Sequence, residues 1–295
     1  MKSKNKSVHR ITPGQAVLIF AGDESAQQAR HLGLGDLLRV LSVVPGFKTD
    51  SLDWCSCPSL FPLARACRQI RDVYPAESIG EILGSYDLTI NLTFETMVGH
   101  PNVFEISSIL NIDAELKNQT YNLVQLLIDS LQLSLGDGMA AVPAESPARF
   151  DVGLNWRVET EWKTKELSKE KWWEVKEQLG NQFTVSWQPA EDGLEDYVAW
   201  VGACRLLVST VGLGCHLAML FGRRLLMLSG PTDFSEIHTY PMGKVLYPPN
   251  DCAVRPCYRK IGDERCDCML HFQAGDIACE IRSLMEREIF HQNIL

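Results

Sequence analysis

No stretch of this chain stays apolar for the roughly eighteen residues that a bilayer crossing requires. The first thirty residues also lack the order of a signal peptide, an apolar core followed by a small-residue cleavage site. A cytoplasmic location is therefore expected, and there the sequons "NLT" and "NQT" carry no meaning. Basic charge is in short supply. Twenty-eight Lys and Arg against 37 Asp and Glu leave a net charge of −9, without the basic face of a nucleic-acid binder. The opening "MKSKNKSVHR" is a short solvated tail, and no basic amphipathic helix follows it, so membrane contact is at most peripheral. Low-complexity tracts, internal repeats and an excess of Gly or Pro are missing as well, which argues against disorder. So is a Gly-x-Gly-x-x-Gly after the first strand with an acid about twenty residues on, which counts against a Rossmann oxidoreductase or a nucleotide-sugar epimerase.

What is present is an alternation. The 295 residues, 45% of them hydrophobic, suffice for one large domain or two of ordinary size. "AVLIFAG" is a buried strand, "GLGDLLRVLSVVP" a helix after a Gly-rich start, and "YDLTINLTF" a second strand. "EISSILNI" and "TYNLVQLLIDSLQLSLG" have helical spacing. Small residues and two prolines in "DGMAAVPAESPARF" mark a domain junction, giving domains 1–148 and 149–295. The second half resumes with "DVGLNW" as a strand and "SKEKWWEVKEQLG" as a helix, Ser168 its N-cap and Gly180 the residue past its end. "FTVSW", "RLLVST" and "RLLMLSG" are strands separated by the helices "GLEDYVAWVGAC" and "GCHLAMLFG". Such spacing implies parallel βαβ units, hence two doubly wound α/β domains with ligands beyond the carboxyl ends of the strands. The gap between the halves is the expected site.

Two strand-to-helix loops draw attention. "RLLVSTVGLGCH" and "RLLMLSGPTD" leave backbone N–H groups and the hydroxyls of Ser209, Thr210 and Thr232 where a diphosphate can bind at a helix N-terminus, although Gly and Ser/Thr also simply make tight turns. His216 opens a helix, a place where a histidine more often packs or caps than exchanges protons. Lys165, in "EWKTKELSKEKWWEV", follows a strand and precedes a helix, where an ammonium can meet a phosphate, or is one solvated lysine among several. Asp36, after two glycines at a helix start, is either an N-terminal cap or a general base for a hydroxyl.

In combination these segments resemble glycosyltransferase family 9, the heptosyltransferases. "GLGDLLRVLSVVP" is similar to the family's N-terminal Gly-Asp helix, and "WKTKELSKEKWWEV" to its Lys-containing loop. "LLVSTVGLGCHLAMLFGRRLLMLSGPTD" resembles its donor-binding core, and "CAVRPCYRK…CDCMLHF" its Pro-Cys and Cys-Met tail. The resemblance implies a GT-B fold, two Rossmann-like domains facing a cleft, with the N-terminal one reduced because the chain is short for the family. It implies inverting transfer of a sugar, with heptose from ADP-heptose the favoured donor, to a lipopolysaccharide-core saccharide or a protein hydroxyl, without a catalytic metal. Asp36 would be the base. Lys165, Ser209, Thr210, Gly212, His216, Gly230, Thr232 and Glu195 would hold the donor, with Lys165, Thr232 and the Gly212–His216 turn meeting charge on the departing diphosphate. The family's Asp-Thr-Gly or Asp-Ser-Gly becomes "VGLGCH" here. Val211 thus stands where the acid is expected, and that work falls to Glu191, Asp192 or Glu195 if it is done at all. A catalytically degenerate nucleotide-binding or scaffold member is the alternative, and a homo-oligomer is compatible with both.

Ten cysteines in a reducing compartment are expected as thiols or metal ligands. Cys252, Cys257, Cys266 and Cys268 lie close together, spaced unlike a standard zinc ribbon but consistent with a closed thiolate site for structural zinc or iron. The alternative is that the Pro-Cys and Cys-Met pairs are packing residues. Autotransporter heptosyltransferases, a branch of the resembled family, carry an iron-binding cysteine finger. Cys55, Cys57, Cys67, Cys204, Cys215 and Cys279 read as buried or incidental thiols.

Overall fold

The computed structural model describes residues 10–22, 34–93, 97, 99–109, 123–133, 148–190, 193–232, 242–250, 252, 255 and 267–286. The chain divides into two compact units, one built on Met1–Pro143 and the other on Ala144–Met219, Arg223–Phe234 and Thr239–Leu295. Each contains a five-stranded, wholly parallel sheet. No helix among the described residues is long and apolar enough to cross a membrane.

In the first unit β1 (Ala16–Phe20), β2 (Ser51–Ser56), β3 (Ile70–Pro75), β4 (Leu88–Asn91) and β5 (Val103–Glu105) lie in the order β3-β2-β1-β4-β5. Helix α1 (Leu34–Val43) follows β1 and packs against α5 (Leu123–Leu131); the short α2 (Phe61–Ala66), α3 (Ile79–Ile82) and α4 (Ile106–Ile109) lie between them in the chain. Strands β2, β3 and β5 were not anticipated from the sequence. The apolar run of β2 is interrupted by Asp53, which is fully buried. Its carboxylate accepts from Arg71 (Nη2, 2.6 Å), from the backbone N–H of Asp72 (3.1 Å) and from the Tyr86 hydroxyl (2.6 Å). A buried charge is tolerated when it is paired and hydrogen-bonded, and here its partners come from other elements.

In the second unit β6 (Phe150–Asn155), β7 (Val185–Trp187), β8 (Cys204–Thr210), β9 (Arg224–Leu228) and β10 (Gly243–Leu246) lie in the order β10-β9-β8-β6-β7. Helix α6 (Lys169–Leu179) has the anticipated ends. Ser168 accepts a hydrogen bond from the Lys171 N–H at 3.2 Å, and Gly180 closes the helix at φ +58°. Helices α7 (Leu194–Gly202) and α8 (Leu213–Leu220) flank β8, and α9 (Ala274–Glu286) packs on α6. β8 and β9 are buried nearly throughout, as the continuous apolar runs of a parallel sheet covered on both faces should be. The core joins Val152, Leu154, Val208 and Leu226 of the sheet to Trp172 and Val175 of α6 and Ile277 and Ile281 of α9.

The chain leaves β6 for β7 on one side and then crosses to β8 on the other, so the strand order reverses between β6 and β8. At such a switch point the flanking loops part and leave a crevice at the carboxyl ends of the strands. Packing around β6 is tight. A Cβ on Gly153 would lie 2.5 Å from the Cys204 sulfur and 3.1 Å from Trp200. Gly153→Ala is therefore expected to lower stability by about 1–3 kcal/mol. Adding Cys204→Ala should restore part of that loss, and strictly additive urea-denaturation midpoints would contradict this contact.

Candidate nucleotide-sugar site

The crevice at the β6/β8 switch point holds a cavity of about 620 Å³, and its described lining residues belong to the second unit. Its floor starts from two buried polar residues near the ends of neighbouring strands, Asn155 on β6 and Ser209 on β8, paired in register. The Asn155 amide N–H donates to the Ser209 hydroxyl at 2.7 Å, and Ser209 in turn donates to the Thr210 carbonyl at 2.7 Å. The Tyr197 hydroxyl on α7 donates to the Asn155 side-chain oxygen at 3.2 Å. Both ends of the buried amide are thus bonded, as burial demands. Tyr197 is held protonated, mainly by burial and secondarily by Cys215, against the opposing bond to Asn155. Gly214 allows the close approach, since a Cβ there would lie 2.6 Å from both the Asn155 amide nitrogen and the Tyr197 hydroxyl.

The walls carry the charge. Lys165, Arg157, Thr160, Trp162 and Gln188 line the cavity together with Val211 and Gly212 at the start of α8. The Lys165 ammonium donates to the Val211 carbonyl at 3.2 Å and lies 4.1 Å from the centre of the Trp162 ring. Arg157 is anchored through its backbone N–H to the Gln188 side chain (3.0 Å) and through its guanidinium to the Pro189 and Ala190 carbonyls. Among the described lining residues Glu159 is the one carboxylate. Two cations among the described lining residues and the partial positive charge of a helix N-terminus give the cavity the electrostatics that suit an anion. Cys215, buried beside it with its thiol donating to the Thr210 carbonyl at 3.3 Å, is pushed up to about 11 by burial. It stays a thiol at neutral pH and is no nucleophile.

Of the residues expected to hold a donor, Lys165, Thr210 and Gly212 line this cavity and Ser209 lies in its floor. His216 is buried on α8, and Glu195 is exposed in the first turn of α7; neither lines the cavity. Gly230 gives the 3₁₀ turn Cys268–His271 room, since a Cβ would lie 2.4 Å from the Met269 sulfur. Thr232 is buried, and its hydroxyl has no hydrogen-bond partner among the described residues. Asp36 is in the first turn of α1, with its side chain outside the described residues, as are Glu191 and Asp192. Sequence reasoning passed over Asn155, Arg157, Trp162, Gln188 and Tyr197. The available signal was Asn155, an amide closing a mostly apolar parallel strand two units before "LLVST".

Cys257 and Cys266 also lie outside the described residues; Cys252 is half-buried and Cys268 buried. Arg255 donates to the Cys268 sulfur at 3.8 Å and to Asn250 Oδ1 at 2.7 Å. Among the described residues no three His, Cys, Asp or Glu side chains gather as a metal site would need.

No protein-family model and no curated protein matches the sequence. Solved structures do. E. coli heptosyltransferase WaaC with ADP superposes with a TM-score of 0.57 at 13% identity, over 91% of this chain and 99% of that one. A family 9 glycosyltransferase from Veillonella parvula gives 0.60 at 10% identity, over 92% and 97%. The iron-containing dodecameric glycosyltransferase TibC of enterotoxigenic E. coli gives 0.55 at 14% identity, over 93% and 77%. The chain has the GT-B fold of the heptosyltransferases. Within that fold its second sheet carries the crevice described above.

Asn155→Ala removes both bonds of the floor amide. It is expected to cost about 1–3 kcal/mol, because the Ser209 and Tyr197 hydroxyls lose a buried partner. A urea midpoint unchanged from that of the parent would show that the bridge does not brace the crevice.

Proposed function

We propose that the protein is an inverting glycosyltransferase that takes a sugar, heptose by preference, from a nucleotide-diphosphate donor and passes it to a saccharide or protein hydroxyl. The observation that carries this reading is the crevice at the β6/β8 switch point, floored by amides and hydroxyls and flanked by Lys165 and Arg157, in a chain with a heptosyltransferase fold. Similar structures are described as holding ADP or an ADP-heptose. On this reading Asp36 accepts the acceptor hydroxyl's proton as its oxygen bonds to the anomeric carbon. The bond from that carbon to the diphosphate breaks with its electron pair. Lys165 and the N–H groups at the start of α8 stabilise the charge that arrives on the leaving oxygen, a role fixed dipoles and an ammonium can fill without a divalent cation.

Calorimetry should show ADP and ADP-heptose binding, and Lys165→Met should weaken ADP binding at least tenfold, about 1.4 kcal/mol. Asp36→Ala should leave ADP binding intact and abolish transfer, read by mass spectrometry of acceptors. A chain that binds ADP but turns over no acceptor would favour the second reading, a nucleotide-binding scaffold. That reading draws on Val211, which puts an apolar side chain where the resemblance places an acid.

The cysteine set fits a structural metal in its donor chemistry. Cys252, Cys257, Cys266 and Cys268 would supply four soft sulfurs to zinc or iron, and Arg255 sets a positive charge beside the Cys268 sulfur. A neighbour of the same fold is described as iron-containing. Elemental analysis of the purified chain should find about one metal per subunit, lost in Cys268→Ser. Metal-free protein with all four thiols titratable by a thiol reagent would rule the clip out.

A further inference from the structure

We propose that Trp162 is a positioning residue whose ring holds the Lys165 ammonium at the wall of the crevice. This inference rests on the reading of the crevice as a diphosphate site and deepens it. Trp162 interrupts the 3₁₀ run Thr160–Lys165 with non-helical angles (φ −112°, ψ 34°), and both it and Lys165 line the cavity. The ammonium lies 4.1 Å from the ring centre and donates to the Val211 carbonyl at 3.2 Å.

Neither partner carries a formal charge. A carboxylate in their place would hold a lysine equally well but cancel its field. An indole face attracts the cation through its quadrupole, and a carbonyl through its dipole, so neither of these two contacts cancels the positive charge that an incoming phosphate would meet. Holding the long side chain in advance also removes an ordering cost from the binding step. Val211 takes part through its backbone, which any residue at that position supplies, so of these two contacts the one that depends on side-chain identity is that of Trp162.

Two measurements test this. The first is a cycle of ADP affinities for the parent chain, Trp162→Leu, Lys165→Met and the double variant. Trp162→Leu should weaken ADP about fivefold to thirtyfold in the parent and little or not at all once Lys165 is gone. Trp162→Phe should recover most of the affinity, because a ring is kept. Losses that add would show that Trp162 meets the nucleotide directly, and would overturn the proposal.

The second measurement needs no ligand. Reductive ¹³C-methylation of the lysines keeps their charge, and the signal that Lys165→Arg removes should be shifted upfield by the ring and return to the bulk position in Trp162→Leu. A Lys165 signal already at the bulk position in the parent would overturn the pairing. If that signal is shifted but the parent binds neither ADP nor pyrophosphate, the pairing stands, while the diphosphate site and the role assigned to the pairing both fall.

Discussion

The side-chain bridge between Asn155 and Ser209 is the constraint around which the second unit's crevice is arranged. It joins the ends of two adjacent parallel strands at the place where strand order reverses, and it does so with buried polar groups beside a largely apolar stretch of the sheet. A primary amide buried there destabilises the fold unless both of its ends are bonded. Ser209 takes one end and Tyr197 the other, which commits α7 to the site. The same closeness commits position 214 to glycine, because a Cβ would collide with both the amide and the phenol. One hydrogen-bonded pair therefore sets the position of a helix, the identity of a residue and the shape of a floor.

On that floor the electrostatics follow from what each element can supply. The start of α8 offers N–H groups that the helix cannot use itself, and the loop after β6 offers Arg157 and Lys165. Each cation is tied to carbonyls rather than left mobile, Arg157 to Pro189 and Ala190, Lys165 to Val211. These bonds orient the cations without neutralising them. The buried sulfur of Cys215 remains protonated beside them, so the field of the crevice is not answered by a thiolate.

Much of this fold was legible because single segments carried it. Ser168 and Gly180 bracket a helix whose apolar positions recur at helical spacing, and β8 and β9 are apolar runs of strand length between helices. The strands that escaped notice are those whose rationale lies elsewhere in the chain. Asp53 makes β2 read as a broken run until Arg71 and Tyr86, 18 and 33 residues away, are found around its carboxylate. The site divides in the same way. Lys165, Thr210 and Gly212 stood out as phosphate-type residues in turns. Asn155 and Tyr197 draw their meaning from a contact across 42 residues, and Trp162 from a backbone kink that periodicity does not encode.

On the donor reading, Val211, where the resemblance places an acid, bears differently on two halves of a donor. A diphosphate would be met by charge and by N–H groups, and those would come from Lys165, Arg157 and the start of α8, with position 211 supplying only its carbonyl. A sugar is met by side chains that accept from its hydroxyls, and there Val211 has nothing to offer. An acid at 211 would also set a negative charge close to an ammonium that is already bonded to that residue's backbone. On the same reading, its absence would leave the wall more positive and less selective. On the donor reading, nucleotide affinity and sugar choice are therefore separable in this chain. The choice passes to whatever carboxylate remains within reach, and among the described lining residues that is Glu159.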